Sequence, residues 1–175
     1  MPEAEAHMSA QVQPMRKPLL WWLLAIVWII VDLATKALAS SSLTYATPVE
    51  VLPFFNLTLL HNTGAAFSFL ADHPGWQRWF FAAIAVAATI GLSIWMTRLK
   101  RDEKVLGACL ALIIGGALGN LYDRLVHGYV VDFLSFHAAG WYYPAFNVAD
   151  IGITVGAIGL IWESIFAERR RARRG

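Results

Sequence analysis

The stretch LLWWLLAIVWIIVDLATKALA, residues 19–39, decides what kind of molecule this is. It is an apolar run of the length that crosses a bilayer, about 20 residues, and charge interrupts it only late, at Asp32 and Lys36. The run is too long for the apolar core of a cleaved signal, and no small-residue cleavage site follows it, so it reads as a retained span. Three further runs have the same character: about 79–97, 105–122 and 148–166. Composition agrees. The 175 residues are 58% hydrophobic and 15% charged, with mean hydropathy +0.53, where a soluble domain carries about 25% charged residues. The length suits one compact bundle, 18–167, between a disordered tail, 1–17, and a basic tail, 168–175.

The basic residues orient the bundle. Arg16, Lys17, Arg98, Lys100, Arg101, Lys104 and the five C-terminal arginines fall on one side of a four-span arrangement; Lys36, Arg78 and Arg124 fall on the other. The positive-inside rule therefore places both termini in the cytoplasm. Trp21, Trp22, Trp95 and Trp162 then mark the inner interface, and Trp76, Trp79, Trp141, Tyr142 and Tyr143 the outer one. The arginines of the C-terminal tail read as an anchor on anionic lipid.

Two segments lie outside. In the first, Phe55, Leu57 and Leu59 alternate with Asn56 and Thr58, which predicts a strand within 49–60 and an extracytoplasmic β segment of about 45–70. Pro53 makes the strand's start an edge or a bend. Asn62-Thr63-Gly64 signals a turn, after which 65–70 can pair back. The second segment, 125–144, is apolar between Gly128 and Gly140 and is expected to form a short interfacial helix. The fold class is thus an all-α polytopic membrane protein: four transmembrane helices, a small extracytoplasmic β-sheet and a short interfacial helix.

This topology brings together polar residues that are far apart in sequence. Asp32 lies near the outer end of span one, Asn120 and Asp123 close span three, Asn147 and Asp150 open span four, and Asp132 lies in the link between them. Carboxylates are costly beside hydrocarbon and mark function there. Two that lie close together can share a proton and activate a water. Asp32 and Lys36, spaced i, i+4, form either a self-neutralising pair or a lip that holds substrate backbone. Asp123 and Arg124 are adjacent, so they cannot pair on one helix face and each needs another partner. Asn62, Asn120 and Asn147 suit turns or caps, Asn62 before Thr-Gly and Asn147 near the start of span four, or else recognition of an extended peptide or support for a nearby carboxylate. Gly115, Gly116 and Gly119 form a small-residue face for close helix packing.

Other chemistries find little support. The lone Cys109 rules out an intrachain disulfide. Its Leu106-Gly-Ala-Cys109 context faintly resembles a lipidation site but sits in the middle of a span. The five histidines show no metal-ligand spacing, no Gly-x-Ser-x-Gly elbow occurs, and no glycine-rich phosphate loop follows a strand. A small ion or proton transporter is the alternative from another class. It predicts carboxylates spread through the membrane depth, whereas four gather at the outer face and Glu163 lies at the inner end. A non-enzymatic assembly subunit, with inter-subunit aspartates, is a third.

Five blocks, in order, then narrow the choice: Asp32-Leu-Ala-Thr-Lys36, Asn62-Thr-Gly-Ala-Ala-Phe67, Gly115-Gly-Ala-Leu-Gly-Asn-Leu-Tyr-Asp-Arg124, Val130-Val-Asp-Phe133 and Phe146-Asn-Val-Ala-Asp150. Together they resemble the sequence blocks of the lipoprotein signal peptidases (signal peptidase II), from span one to span four. The resemblance implies an intramembrane aspartyl endopeptidase of the bacterial cytoplasmic membrane. Such an enzyme cuts diacylglyceryl-modified prolipoproteins on the N-terminal side of the lipidated cysteine. It implies Asp132 and Asp150 as the catalytic pair. Asn62, Gly64, Asn120, Asp123, Arg124 and Asn147 would stand around the substrate groove, with Asp32 and Lys36 at its lip. No cofactor, metal or nucleic acid is expected, and the partners are the prolipoprotein and membrane lipid, with the enzyme a monomer. A lid with glycine hinges over the groove is a further expectation.

Overall fold

The structure, a computed structural model, describes residues 18–64 and 75–172. Four helices carry the bundle: α1 (Leu19–Ser42), α2 (Trp76–Thr97), α3 (Lys104–Val126) and α4 (Val148–Ala172). Each is long and apolar enough to span a membrane. The third is the hub. Of its most apolar stretch 61% is buried, against 17–22% in the other three, whose remaining surface is left to lipid. Small residues make this possible. A Cβ on Gly116 would collide with the Ala149 carbonyl oxygen and one on Gly115 would press on the Ala25 carbonyl oxygen, so α4 and α1 approach α3 to backbone distance there, while Gly119 leaves room for the Asp32 carboxylate. At the end of the bundle away from the sheet, Trp21, Ala25, Met96, Leu99, Leu110, Ala111 and Ile114 form the apolar core that joins α1, α2 and α3.

The links between α1 and α2 and between α3 and α4 build one antiparallel sheet with strands β1 (Val49–Leu52), β2 (Phe55–Asn62), β3 (Val130–Ala138) and β4 (Trp141–Tyr142) in that order. The bend expected at Pro53 turns the predicted single strand into a tight hairpin, with Leu52 opposite Phe55. The Asn62–Gly64 turn is present: Gly64 has φ +92°, and its N–H donates to Asn62 Oδ1 at 2.9 Å. The expected return strand at 65–70 lies outside the described residues.

The interfacial helix expected within 125–144 is replaced by β3 and β4. Gly128 and Gly140, with φ +86° and +82°, end the helical path at both sides, and Val130-Val131-Asp132-Phe133 pairs with the end of β2, Leu60 opposite Asp132 and Asn62 opposite Val130. A short apolar run fits helix or strand equally, and the open edge of β2 decides it. Beyond the sheet, Phe146 pairs with Leu134: the Leu134 N–H donates to the Phe146 carbonyl at 2.9 Å, and the Phe146 N–H donates back at 3.0 Å. This pairing ties the start of α4 to β3 and fixes Asp150 relative to Asp132.

Candidate active site

Asn147 is the centre of the site and is fully buried. It is the residue before α4, and its Oδ1 accepts the Asp150 N–H at 3.0 Å while its own N–H donates to Asp150 Oδ2 at 3.2 Å. This is a reciprocal capping box with aspartate in the third helical position. Capping occupies one end of the amide and leaves Nδ2 free, which donates to Asp132 Oδ1 at 2.7 Å and also lies 3.2 Å from the Val131 carbonyl and from Asn120 Oδ1. One asparagine thus touches both carboxylates, one through its cap and the other through its amide.

Asn120, one helix away on α3, supports the same pair. Its Nδ2 donates to Asp150 Oδ1 at 2.8 Å, and its Oδ1 accepts from Lys36 Nζ at 2.8 Å. On the other side Asn62 Nδ2 donates to Asp132 Oδ2 at 2.9 Å. Each catalytic candidate therefore receives a hydrogen bond at both of its oxygens. Asp132 is 2% exposed, and Asp150 is half-buried. Burial pushes the Asp132 carboxyl up to about 6, and nearby Asp150 raises it too; the hydrogen bonds from Asn62 and Asn147 and the charge of Lys36 pull against this.

Beneath the pair lies a closed charge cluster. Lys36 Nζ sits 2.8 Å from Asp32 Oδ2 and 3.1 Å from Asp123 Oδ2 as an ion pair with each, and donates a hydrogen bond to Asn120 Oδ1. Asp32 Oδ1 accepts the Ala149 N–H at 2.8 Å, and Asp123 Oδ2 accepts the Val131 N–H at 3.0 Å. The cluster therefore pins the first turn of α4 and the start of β3. Asp32 and Lys36 are 0% and 3% exposed, so they are no lip of a groove; both are enclosed between α1, α3 and α4. The sequence suggests a lip because the pair is near the end of span one, but Gly119 lets α1 pack down on it. Asp123 and Arg124 do find separate partners: Arg124 donates to the Asn120 carbonyl at 3.3 Å and lies over the Phe81 ring, and its charge interacts with those of Asp150, Asp132 and Asp123.

A cavity of about 410 Å³ opens beside Asp150, walled by Phe146, Pro144, Ile151, Thr154 and Val155. Val155 is 53% exposed on the lipid-facing side of α4, so the cavity runs from the carboxylate toward the bilayer. Among the described residues no cluster of His, Cys, Asp and Glu could hold a metal ion. All the residues read from the sequence as site candidates fall within this one network or at its edge. What the sequence does not disclose are the backbone partners, Val131 and Ala149, and Trp28, whose Nε1 donates to the Val148 carbonyl at 3.2 Å. Backbone groups leave no trace in residue identity, and Trp28 looks like any other tryptophan of a span.

Comparison with known proteins gives the arrangement a relationship. A lipoprotein signal peptidase of Ectopseudomonas mendocina is 53% identical over 140 residues, covering 79% of this chain and 83% of that one. One from Acinetobacter baylyi is 49% identical over 156 residues, covering 89% and 87%. A solved structure described as a bacterial membrane enzyme superposes with a TM-score of 0.71 at 31% identity, covering 83% of this chain and 87% of that one. The sequence profile of the family described as signal peptidase (SPase) II matches residues 24–166, which takes in every residue of the network, and the chain belongs to that family.

Proposed function

We propose that this protein is an aspartyl endopeptidase of the bacterial cytoplasmic membrane that removes signal peptides from diacylglyceryl-modified prolipoproteins, cutting before the lipidated cysteine. The single observation that carries this reading is the sharing of Asn147 by Asp132 and Asp150. Two carboxyls held across one residue do not both ionise easily. Asp132, the more deeply buried, keeps the shared proton; Asp150, open to the lipid-side cavity, carries the charge.

In the reaction Asp150 takes a proton from water as the water oxygen attacks the scissile carbonyl. Asp132 gives its proton to the carbonyl oxygen. The resulting tetrahedral gem-diol collapses as the leaving amine takes the proton from Asp150 and the diol returns one to Asp132, so the dyad ends as it began. No covalent intermediate forms. Positioned acid–base groups of this kind contribute about 10²–10⁴-fold each. The Arg124 charge keeps the carboxylate cluster near neutrality. The apolar cavity beside Asp150 suits a substrate whose acyl chains remain in lipid while its peptide crosses the dyad.

The purified enzyme in detergent, given a synthetic diacylated prolipoprotein peptide, is expected to release the signal peptide; a non-acylated peptide is expected to be cut far more slowly. Equal cleavage of both peptides would contradict the substrate assignment.

A further inference from the structure

Asn62 is the one partner of the dyad that comes from the sheet, and it stands in an exposed place. It is the last residue of β2, just before the turn at Gly64. The β2–β3 ladder shifts register between Leu57 and Leu60, so the end of β2 is held by a short ladder of its own, in which Leu60, His61 and Asn62 pair with Asp132, Val131 and Val130. The 2.9 Å contact with Asp132 nevertheless requires Asn62 to be placed within a few tenths of an ångström.

The opposite side of the strand carries a row of rings. Successive side chains on a strand point to opposite faces, so His61 lies on the face away from Asn62. Its ring stacks on Tyr129 with centroids 3.9 Å apart and planes 19° from parallel. Tyr45 packs on the far side of His61 at 4.8 Å, and His127 stacks on Tyr129 at 5.8 Å. The row crosses three segments: the chain leaving α1, the end of β2, and the link between α3 and β3. Tyr129 directly precedes β3, whose Val131 N–H is fixed by the buried Asp123. The stack thus joins the end of β2 to the start of β3 on the face away from the dyad. His61 titrates below the ordinary histidine range, through partial desolvation and the neighbouring His127, so the ring is neutral and stacks as an aromatic at neutral pH.

We propose that the His61–Tyr129 stack is a positioning device for the proposed reaction, holding Asn62 against Asp132 from the back of the sheet. The proposal rests on the dyad reading for its catalytic meaning, but its structural content does not. The charged groups facing Asp132 are Asp150 on α4, Lys36 on α1 and Arg124 on α3; none belongs to the ring row, so the rings act on Asp132 by position and not by charge, and the double variants with Asn62→Ala separate the route through Asn62 from the route through the paired backbone of Val131. An Asn62 that drifts away withdraws a hydrogen bond from the charged form of Asp132, which raises the pH at which that carboxyl ionises.

The test titrates the Asp132 carboxyl by infrared difference spectroscopy, with the band assigned by its loss in Asp132→Asn, and measures turnover in parallel. Asn62→Ala is expected to raise the titration midpoint by about one pH unit and, at pH 5 where Asp132 holds its proton in both proteins, to lower kcat by up to about tenfold, because the carboxylate left when Asp132 gives up its proton has lost a hydrogen bond. Tyr129→Leu and His61→Ala are expected to move both quantities the same way with KM within about twofold, since Asn62 is then loosened rather than removed. Tyr129→Phe, which keeps the stack, is expected to restore wild-type values. Neither ring variant should add to Asn62→Ala. His61 is exposed, so His61→Ala leaves the buried packing in place. An unmoved Asp132 midpoint in both ring variants, or effects that multiply on Asn62→Ala, would overturn the proposal. Full turnover by Asp132→Asn would sink the dyad instead, while the spectroscopic result for the stack would still stand.

Discussion

Asp132 is the residue whose environment departs furthest from that of a free side chain. Its carboxyl is raised from 3.8 to about 6 by burial, with Asp150 adding to the shift. The folded protein therefore binds this proton more tightly than the unfolded chain does. The stabilising contribution is complete below about 3.8 and disappears as pH rises through about 6. The thermal midpoint of the wild type in detergent is accordingly expected to fall between pH 5 and pH 7, and that of Asp132→Asn to fall less over the same interval. Parallel curves for the two proteins would mean that Asp132 does not titrate there. Lys36 makes a second residue-scale case. It holds Asp32, Asp123 and Asn120 at once, at 3% exposure. Removing one partner of a buried charge cluster leaves the others uncompensated, typically at about 3–5 kcal/mol. Lys36→Met should thus lower the thermal midpoint sharply, and adding Asp32→Asn should recover part of the loss. A Lys36→Met variant as stable as the wild type would show that the cluster carries no structural weight.

At the scale of elements, the cap of α4 serves two roles with the two ends of one side-chain amide. Asn147 caps it with Oδ1 and serves Asp132 with Nδ2. The two roles can be separated. Serine keeps a capping oxygen but has no amide, whereas alanine has neither; losing a cap costs about 0.5–2 kcal/mol. Asn147→Ser is therefore expected to melt between wild type and Asn147→Ala, and both should lose cleavage activity to a similar extent. Activity that followed stability across the pair would reduce Asn147 to a cap. The glycines of α3 give a packing test. Gly116→Ala drives a methyl into the Ala149 carbonyl and should destabilise by about 1–3 kcal/mol, read as a lowered thermal midpoint. The same change at Gly91, which has open space around it, should have little effect.

At the scale of the whole molecule, the spans are the part of the fold most legible in the sequence, because an apolar run of bilayer length is seldom anything but a membrane helix. β2 and its turn are legible from alternation and from Asn62-Thr63-Gly64. The strands at 130–142 are not: Val130–Phe133 becomes strand only because β2, some seventy residues earlier, offers it an edge. The site is legible as side chains gathered at one end of the bundle, since topology alone brings Asp32, Asp123, Asp132 and Asp150 to one depth. Their ranks are not. Burial of Asp32 and Lys36 beneath the site depends on how closely α1 meets α3 at Gly119, which no local pattern records. The alternative of a transporter needs carboxylates arranged along the depth of the membrane; the four described here lie in one linked cluster at the junction of α3, α4 and β3. The proposed orientation, read from the placement of the basic residues, puts both termini in the cytoplasm; it predicts that Ala138→Cys is labelled by an impermeant maleimide added outside intact cells and Asp102→Cys only after lysis.

The most direct measurement of the central claim is cleavage of the diacylated prolipoprotein peptide by wild type, Asp132→Asn and Asp150→Asn, each purified and shown to be folded by its thermal transition. Both variants are expected to fall by at least about 10²–10⁴-fold while remaining folded. Cleavage by either variant at the wild-type rate would contradict the assignment of Asp132 and Asp150 as the catalytic pair.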